Sequence, residues 1–351
     1  MKSLNHFLCA LIVFLCSGAL SSCEHRILTD PTNVHYVRVY IDEDIKNVTY
    51  GFYNESYEHP EFDRPLTMLA CLSDSQTGEV ISEDILKNQG SDASGYYIDG
   101  YVGAPSGKYN LIIYQLGSPR TLIRYTDDYF SMQAYTNPVS DRIMGYLSQT
   151  SKVIGEESIM QEPEHILVAR CKDIRINHSE KVDTLKTADG NFFTARSIAK
   201  SYYLQLKIKG VEWIQSAAAV LSGLSGSSLL YEENGMIETD PVNLYFSMQY
   251  KGNKKRYSSG GTEEILYATF TTFGKIPDMT SELTLNFEFG KSDGSSQIES
   301  IDITDVFKTP QAIENQWLLL DKEIAITKPI GSGGMDPGVD GWKDEEADLP
   351  M

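Results

Sequence analysis

Six histidines, five cysteines and 49 acidic residues are the groups in this chain that could do chemistry, and their spacing decides which kind. A zinc site wants paired histidines on one helix face or a cysteine cluster. His6, His25, His35, His59, His165 and His178 make no HExxH and no close pair. His35 heads a strand-like run and His59 precedes Pro60, so both read as surface or turn positions. A nucleophile elbow would read Gly-x-Ser-x-Gly; Gly223-Leu-Ser-Gly-Ser227 and Gly331-Ser-Gly-Gly334 come near and neither fits. Asp42-Glu43-Asp44 could be a calcium loop, but such loops alternate acids with spacers and carry a glycine, so a solvated turn is the plainer reading. Asp127-Asp128 has the same status. Lys254-Lys255-Arg256, beside Tyr257, is the one basic cluster in the sequence. It reads as a soluble loop tip, with a phosphate or glycan contact as the alternative. These patterns name no metal, no cofactor and no catalytic residue, and the expectation is a protein that is not an enzyme.

Cys23 is the exception. It follows one positive charge at Lys2, an apolar run from Phe7 to Leu20, and then Leu20-Ser21-Ser22-Cys23. That is the layout of a secretory signal, and the run is short for a transmembrane helix, which needs about 20 apolar residues. The junction resembles the lipobox of bacterial lipoproteins. The expectation is cleavage between Ser22 and Cys23 and lipid, palmitate included, on the Cys23 thiol. The partner implied is outer-membrane lipid, with the periplasmic and cell-surface faces both open. Cys71 and Cys171 lie in apolar, strand-like runs. A disulfide between them could form in an oxidising compartment, although two separate buried thiols is the simpler reading.

The elements that carry these residues are strands. The 21 tyrosines and the abundant Thr, Val and Ile favour sheet. Alternation predicts strands at His35–Ile41, Leu66–Leu72, Tyr96–Val102, Tyr109–Gln115, Thr121–Tyr125, Ile166–Arg170, Tyr202–Lys209, Val242–Tyr250, Glu264–Phe273, Leu283–Phe289, Ile298–Ile303 and Trp317–Ile326. Leu283–Phe289 is the clearest half-buried pattern, and Lys291–Ser296 reads as the hairpin loop after it. Ser82–Lys87, Pro138–Thr150 and Pro310–Gln316 read as short helical turns. Many short strands with regular turns predict an all-β chain of sandwiches. The expected divisions are 1–22 signal peptide, 23–33 lipidated tether, 34–160 first β-domain, 161–328 second β-domain, and 329–351 a Gly-rich acidic tail. A net charge of −19 repels polyanions, which argues against a nucleic-acid partner.

One stretch is familiar. Ile208-Lys-Gly-Val-Glu-Trp-Ile-Gln-Ser-Ala-Ala-Ala-Val-Leu-Ser-Gly-Leu-Ser-Gly226 is similar to a signature of fimbrillin-like lipoproteins. The Cys23-Glu-His-Arg26 start, the Gly107–Tyr114 strand and the tail with Trp342 resemble a branch of uncharacterised function near the fimbrillin-associated anchor and accessory subunits. The resemblance implies two tandem transthyretin-like, Greek-key β-sandwiches. It implies fimbrial subunits as partners, joined when a sheet receives a strand from a neighbour. Structural subunits of that kind mature by cleavage after an arginine, for which Arg124 is the position to examine. The other reading is a surface glycan-binding lipoprotein, which would show a planar row of exposed Trp and Tyr rather than buried Trp213 and Trp317.

Overall fold

In a computed structural model of the chain, the described residues are 33–43, 48–50, 55–57, 63–147, 150, 158–177, 181–232, 241–251, 264–276 and 282–329. The architecture is all-β, as the alternation predicts. Among these residues no helix is long and apolar enough to cross a membrane.

The first body is one rolled sheet. Its strands run in space as Val80–Leu86, Met68–Asp74, Gly107–Gln115, Leu167–Ile176, Phe193–Ser197, Val34–Ile41, Gly95–Gly103 and Asn88–Asp92. Asp183–Thr184 adds a short parallel partner to Val34–Ile41. Leu167–Ile176 and Phe193–Ser197 are joined by two residue pairs, Leu167 with Ser197 and Val168 with Arg196. Rolling brings Val37, Val39, Ile98, Leu111, Ile113 and Phe193 into one core. Burial of that apolar area drives the closure.

Two expectations are corrected here. His35 is neither a surface nor a turn residue: it is 2% exposed, on the inward register shared with Val37 and Val39. Among the described residues neither of its ring nitrogens has a hydrogen-bond partner. Ser82–Lys87 is not helical, since Val80–Leu86 is a strand paired to Met68–Asp74. The serine read as a helix cap donates instead to Asp84 Oδ2 at 2.9 Å, and that same oxygen accepts from the Gly103 amide at 3.0 Å. β-branched Val80, Ile81 and Ile85 fit the strand better than a helix.

The second body has two sheets facing one core. One sheet orders Ile159–Met160, Pro241–Ser247, Ile214–Ser225, Thr284–Lys291 and Ser296–Asp302; the other orders Gln249–Lys251, Glu264–Thr272, Lys200–Lys209 and Trp317–Ala325. Leu204, Leu206, Leu221, Phe246, Phe270 and Phe287 fill the space between. Phe246 and Phe270 stack with centroids 4.4 Å apart across it. The hairpin at Lys291–Ser296 is as predicted, turning through Gly294 at φ 80°. The Pro310–Asn315 helix also stands where Pro310–Gln316 was expected, capped by Thr309 Oγ1, which accepts from the Ala312 amide at 3.3 Å.

The strand pairing does not divide at residue 160. The chain leaves the first body after Gln115, and Gln133–Thr136 pairs with Thr121–Arg124 on one side and with Ser227–Leu229 on the other. Beyond Thr136 the chain forms the Asp141–Tyr146 helix and Ile159–Met160, which pairs with Asn243–Leu244 of the second body. Val139, Leu147 and Ile159 pack there on Val220. From there it returns to the first body as Leu167–Ile176 and Phe193–Ser197. Gly155 to Glu157 lie outside the described residues, and Glu162-Pro163-Glu164 precedes the strand Leu167–Ile176 that rejoins the first body. A buried seam holds the bodies together, built from Cys71, Ile112, Tyr129, Met132, Leu230 and Phe273 among others.

Candidate functional site

The outward register of the first body carries an ordered aromatic and charged face. In Val34–Ile41 the inward residues are apolar apart from His35, so Tyr36, Arg38 and Tyr40 point out. Antiparallel pairing sets Tyr36 beside Tyr101, Arg38 beside Asp99 and Tyr40 beside Tyr97. The Arg38 guanidinium lies 3.8 Å from the Tyr97 ring centroid and 5.2 Å from that of Phe192. It donates to Asp92 at 3.1 Å and to the Tyr36 hydroxyl at 3.0 Å, and lies 3.7 Å from Asp99. Tyr36 donates to Asp99 at 2.5 Å and Tyr40 to Asp92 at 2.8 Å. Burial and the bond to Asp99 push the Tyr36 phenol up to about 12. The Ser94 amide and then the Tyr40 hydroxyl hold Asp92 below the usual carboxylate range. Gly90 leaves room for the tip of Tyr97, since a Cβ there would sit 2.4 Å from its Cζ and the ring would have to shift.

The rings do not form a planar row. Tyr36–Tyr101, Tyr40–Tyr97 and Tyr40–Phe192 meet edge to face at 67°, 74° and 65°. Trp317 is fully buried and Trp213 packs against the second core. At the end of the face lies an open groove of about 710 Å³, lined by Tyr40, Asp42, Glu43, Tyr96, Lys186 and Phe192 among others. Asp42 accepts from Arg196 Nε at 3.0 Å, and Glu43 takes two bonds from Arg64, one at 3.0 Å. These acids of the suspected calcium loop are therefore committed to arginines. Asp44 lies outside the described residues, as do Lys254, Lys255, Arg256 and Tyr257. Asp128 closes its own turn, accepting from the Phe130 amide at 3.1 Å. Among the described residues no group of three or more His, Cys, Asp or Glu could hold a metal.

A second polar chain lies at the seam. His165 Nδ1 is 2.7 Å from Ser197 Oγ and Nε2 is 2.7 Å from Ser201 Oγ. Ser201 Oγ is 3.0 Å from Thr271 Oγ1, and the Thr271 amide donates to Glu162 at 2.9 Å. A hydroxyl against an imidazole has the form of an activated nucleophile. Ser201 is 3% exposed, so no substrate reaches it, and the chain of bonds fastens one body to the other.

Cys71 and Cys171 are free thiols. Register explains why a disulfide is ruled out: Cys71 stands opposite Ile112 and Cys171 opposite Leu111, adjacent residues of one strand that face opposite ways. Burial and then Glu83 push the Cys71 thiol far up, which makes it inert. Arg124 is no open cleavage loop. It lies in a paired strand, bonded to Gln133 Oε1 at 2.8 and 3.0 Å and set over Tyr135. Ser22 and Cys23 lie outside the described residues. The Arg38 face was missed by sequence reading, although the Tyr36-Arg38-Tyr40 alternation and Tyr97 and Tyr101 at two-residue multiples were its signal.

Residues 84–247 match a family model described as a domain of unknown function, DUF5119. A Bacteroides ovatus protein provisionally named fimbrium anchoring subunit Fim4B is 24% identical over 286 residues, covering 72% of this chain and 78% of its own. The resemblance to the fimbrillin group holds. A crystal structure of a protein assigned provisionally as an adhesin, also from Bacteroides ovatus, aligns over 88% of this chain and 98% of that one, with TM-score 0.56 and 18% identity. That likeness is one of fold. The fimbrial anchor protein Mfa2 of Porphyromonas gingivalis aligns over 78% of this chain and 84% of its own, at TM-score 0.44 and 12% identity. The matched residues span parts of both bodies and include Ile112, Tyr129, Met132 and Leu230 of the seam.

Proposed function

We propose that this chain is a non-enzymatic fimbrial anchor or accessory subunit, held at the outer membrane by lipid on Cys23 and acting in cell-surface assembly and adhesion through strand pairing. The two bodies are read as tandem transthyretin-like sandwiches. The observation that carries the reading is the alignment with the fimbrium anchoring relative across most of both chains. Two physical features support strand pairing. Among the described residues Ser296–Asp302 and Trp317–Ala325 each pair on one side, which leaves backbone groups for an added strand. Val34–Ile41 also supplies Val37, Val39 and Ile41 to the first core, so a strand offering the same alternation would fit its place.

The test is fractionation of native cell envelopes with intact mass, for the native chain and Cys23→Ser. The expected result is a membrane-bound protein beginning at acylated Cys23, with the variant released, and in-cell crosslinking that recovers a fimbrial subunit. A native chain that is unlipidated, or begins inside the first body, would refute the anchor reading. An acylated chain that crosslinks to no fimbrial subunit would refute the assembly reading.

A further inference from the structure

We infer that the seam continues, at its open flank on the first body, into a docking surface for a protein segment that carries lysine or arginine among apolar residues. This goes beyond an anchoring role and requires neither the lipid nor strand exchange. The surface starts on Val80–Leu86. Alternation along that strand turns Ile81, Glu83 and Ile85 outward. Ile85 stands beside Leu69, and Glu83 beside Cys71, on the neighbouring strand. Cys71 is fully buried in the seam and Leu69 packs against it. The cover ends at the edge strand, where Ile81 and Ile85 lie open.

The turn at 125–130 extends the surface. It lies against the start of the strand, where the Val80 amide donates to the Asp127 carbonyl at 3.1 Å and the Tyr129 amide to the Gly78 carbonyl at 2.8 Å. Phe130 lies over Gly78, where a Cβ would come within 2.6 Å of its ring. Eight large apolar side chains are exposed among the described residues, and four of them, Ile81, Ile85, Tyr125 and Phe130, are on this strand and turn. Single exposed apolar residues are ordinary, whereas a group continuous with a buried contact marks an interaction face. Charge decides which partner fits. Asp74, Glu79, Glu83 and Asp84 lie between Leu66 and Leu86, Asp127 and Asp128 lie in the turn, and neither stretch holds a Lys or Arg. Asp74, Asp84 and Asp128 accept from nearby backbone amides. Glu79, Glu83 and Asp127 are exposed and make no ion pair among the described residues. Of the bordering cations, Arg124 is bonded to Gln133 and Lys172 lies 5.7 Å from the Tyr231 centroid. That leaves Lys87, just past the strand, against three open carboxylates. An apolar centre with a carboxylate rim fits a segment of the opposite pattern, because complementary charges steer the encounter and fix its register.

The test is a fluorescence-anisotropy titration of the full chain with labelled peptides about ten residues long, alternating lysine with leucine, lysine with serine, or glutamate with leucine. The expected result is that the lysine–leucine peptide binds about tenfold more tightly than either control, and that its affinity falls as salt rises. Ile85→Asn and Glu83→Lys, both at exposed positions, should each weaken it about tenfold with the thermal melt unchanged. Should Glu83→Lys melt low, Glu79→Lys reads the same charge. Ile313→Asn and Glu314→Lys, at an exposed apolar–acidic pair on the second body, should leave the affinity as it was. No binding of the lysine–leucine peptide, equal binding of either control, unchanged affinity in either surface variant, or an equal loss in the Ile313 and Glu314 variants would each overturn the assignment.

Discussion

Glu162 sits where its charge is costly, and this makes the seam sensitive to pH in a calculable way. Its carboxylate accepts the Thr271 amide at 2.9 Å, yet burial outweighs that bond and lifts its pKa from 4.5 to about 7. A raised carboxylate pKa means the folded state holds its proton more tightly than the unfolded state. The cost of ionising it is absent below pH 4.5, grows through the window from 4.5 to 7, and is level above that. The difference corresponds to about 3 kcal/mol at pH 8 and about 1 kcal/mol at pH 5. Glu162→Gln keeps an oxygen for the Thr271 amide and removes the charge. The variant should therefore be more stable than the native chain by about 3 kcal/mol at pH 8, shrinking to about 1 at pH 5. Urea unfolding at four or five pH values, followed by tryptophan fluorescence, reads this directly. A stability gain that does not change with pH, or a loss at pH 8, would show that the carboxylate is solvated or structurally needed, and the argument from burial would fall.

Other outcomes follow from the same structure. Without reductant, iodoacetamide should label both Cys71 and Cys171 in the denatured protein, and in the folded protein should reach Cys171 far faster than buried Cys71; a disulfide-linked mass would contradict the register argument. Gly210→Ala should cost about 1–2 kcal/mol, because Gly210 has φ 82° and a Cβ there would lie 2.7 Å from the Trp213 ring; a thermal melt decides it. Phe287→Ala, at a fully buried position between the two sheets, should cost about 3–5 kcal/mol in denaturant unfolding. A chain ended at residue 160 should stay unfolded by circular dichroism, since Gly107–Gln115 loses the partner strand Leu167–Ile176.

The strands that sequence made legible are those with period-two apolar patterning, and Val34–Ile41, Gly107–Gln115 and Lys200–Lys209 fall where it puts them. Ile214–Ser225 was not read as a strand, because Ser216-Ala-Ala-Ala219 has weak sheet propensity. It is nonetheless central, paired on both sides, and its small residues let Gly290 pass close to Ser216. Thr284–Lys291 shows the opposite limit. Its alternation was read as one wet face, yet Asn286 and Glu288 on that face are 3% exposed. The cause is non-local: Glu288 accepts from the amide and hydroxyl of Thr150 at 2.9 and 2.8 Å, and Asn286 Oδ1 accepts from Ser300 Oγ at 2.6 Å. His35 was misplaced for a related reason, since histidine is commonly at the surface and nothing local tells which register it joins. The site was half legible. The outward tyrosines could be counted, but Arg38 meeting Phe192 and Asp92 depends on strands up to 154 residues distant, the separation at which Arg196 meets Asp42.

The path of the chain between the bodies has a mechanical meaning. The backbone passes from the first body to the second near residue 137, back near 165 and across again near 198. A tension applied at the N-terminal end and resisted by a partner on the second body would not run along a single linker. It would divide among three covalent crossings and the seam strands that pair Gln133–Tyr135 with Ser227–Leu229. Such a join behaves as a stiff coupling under load rather than as a hinge.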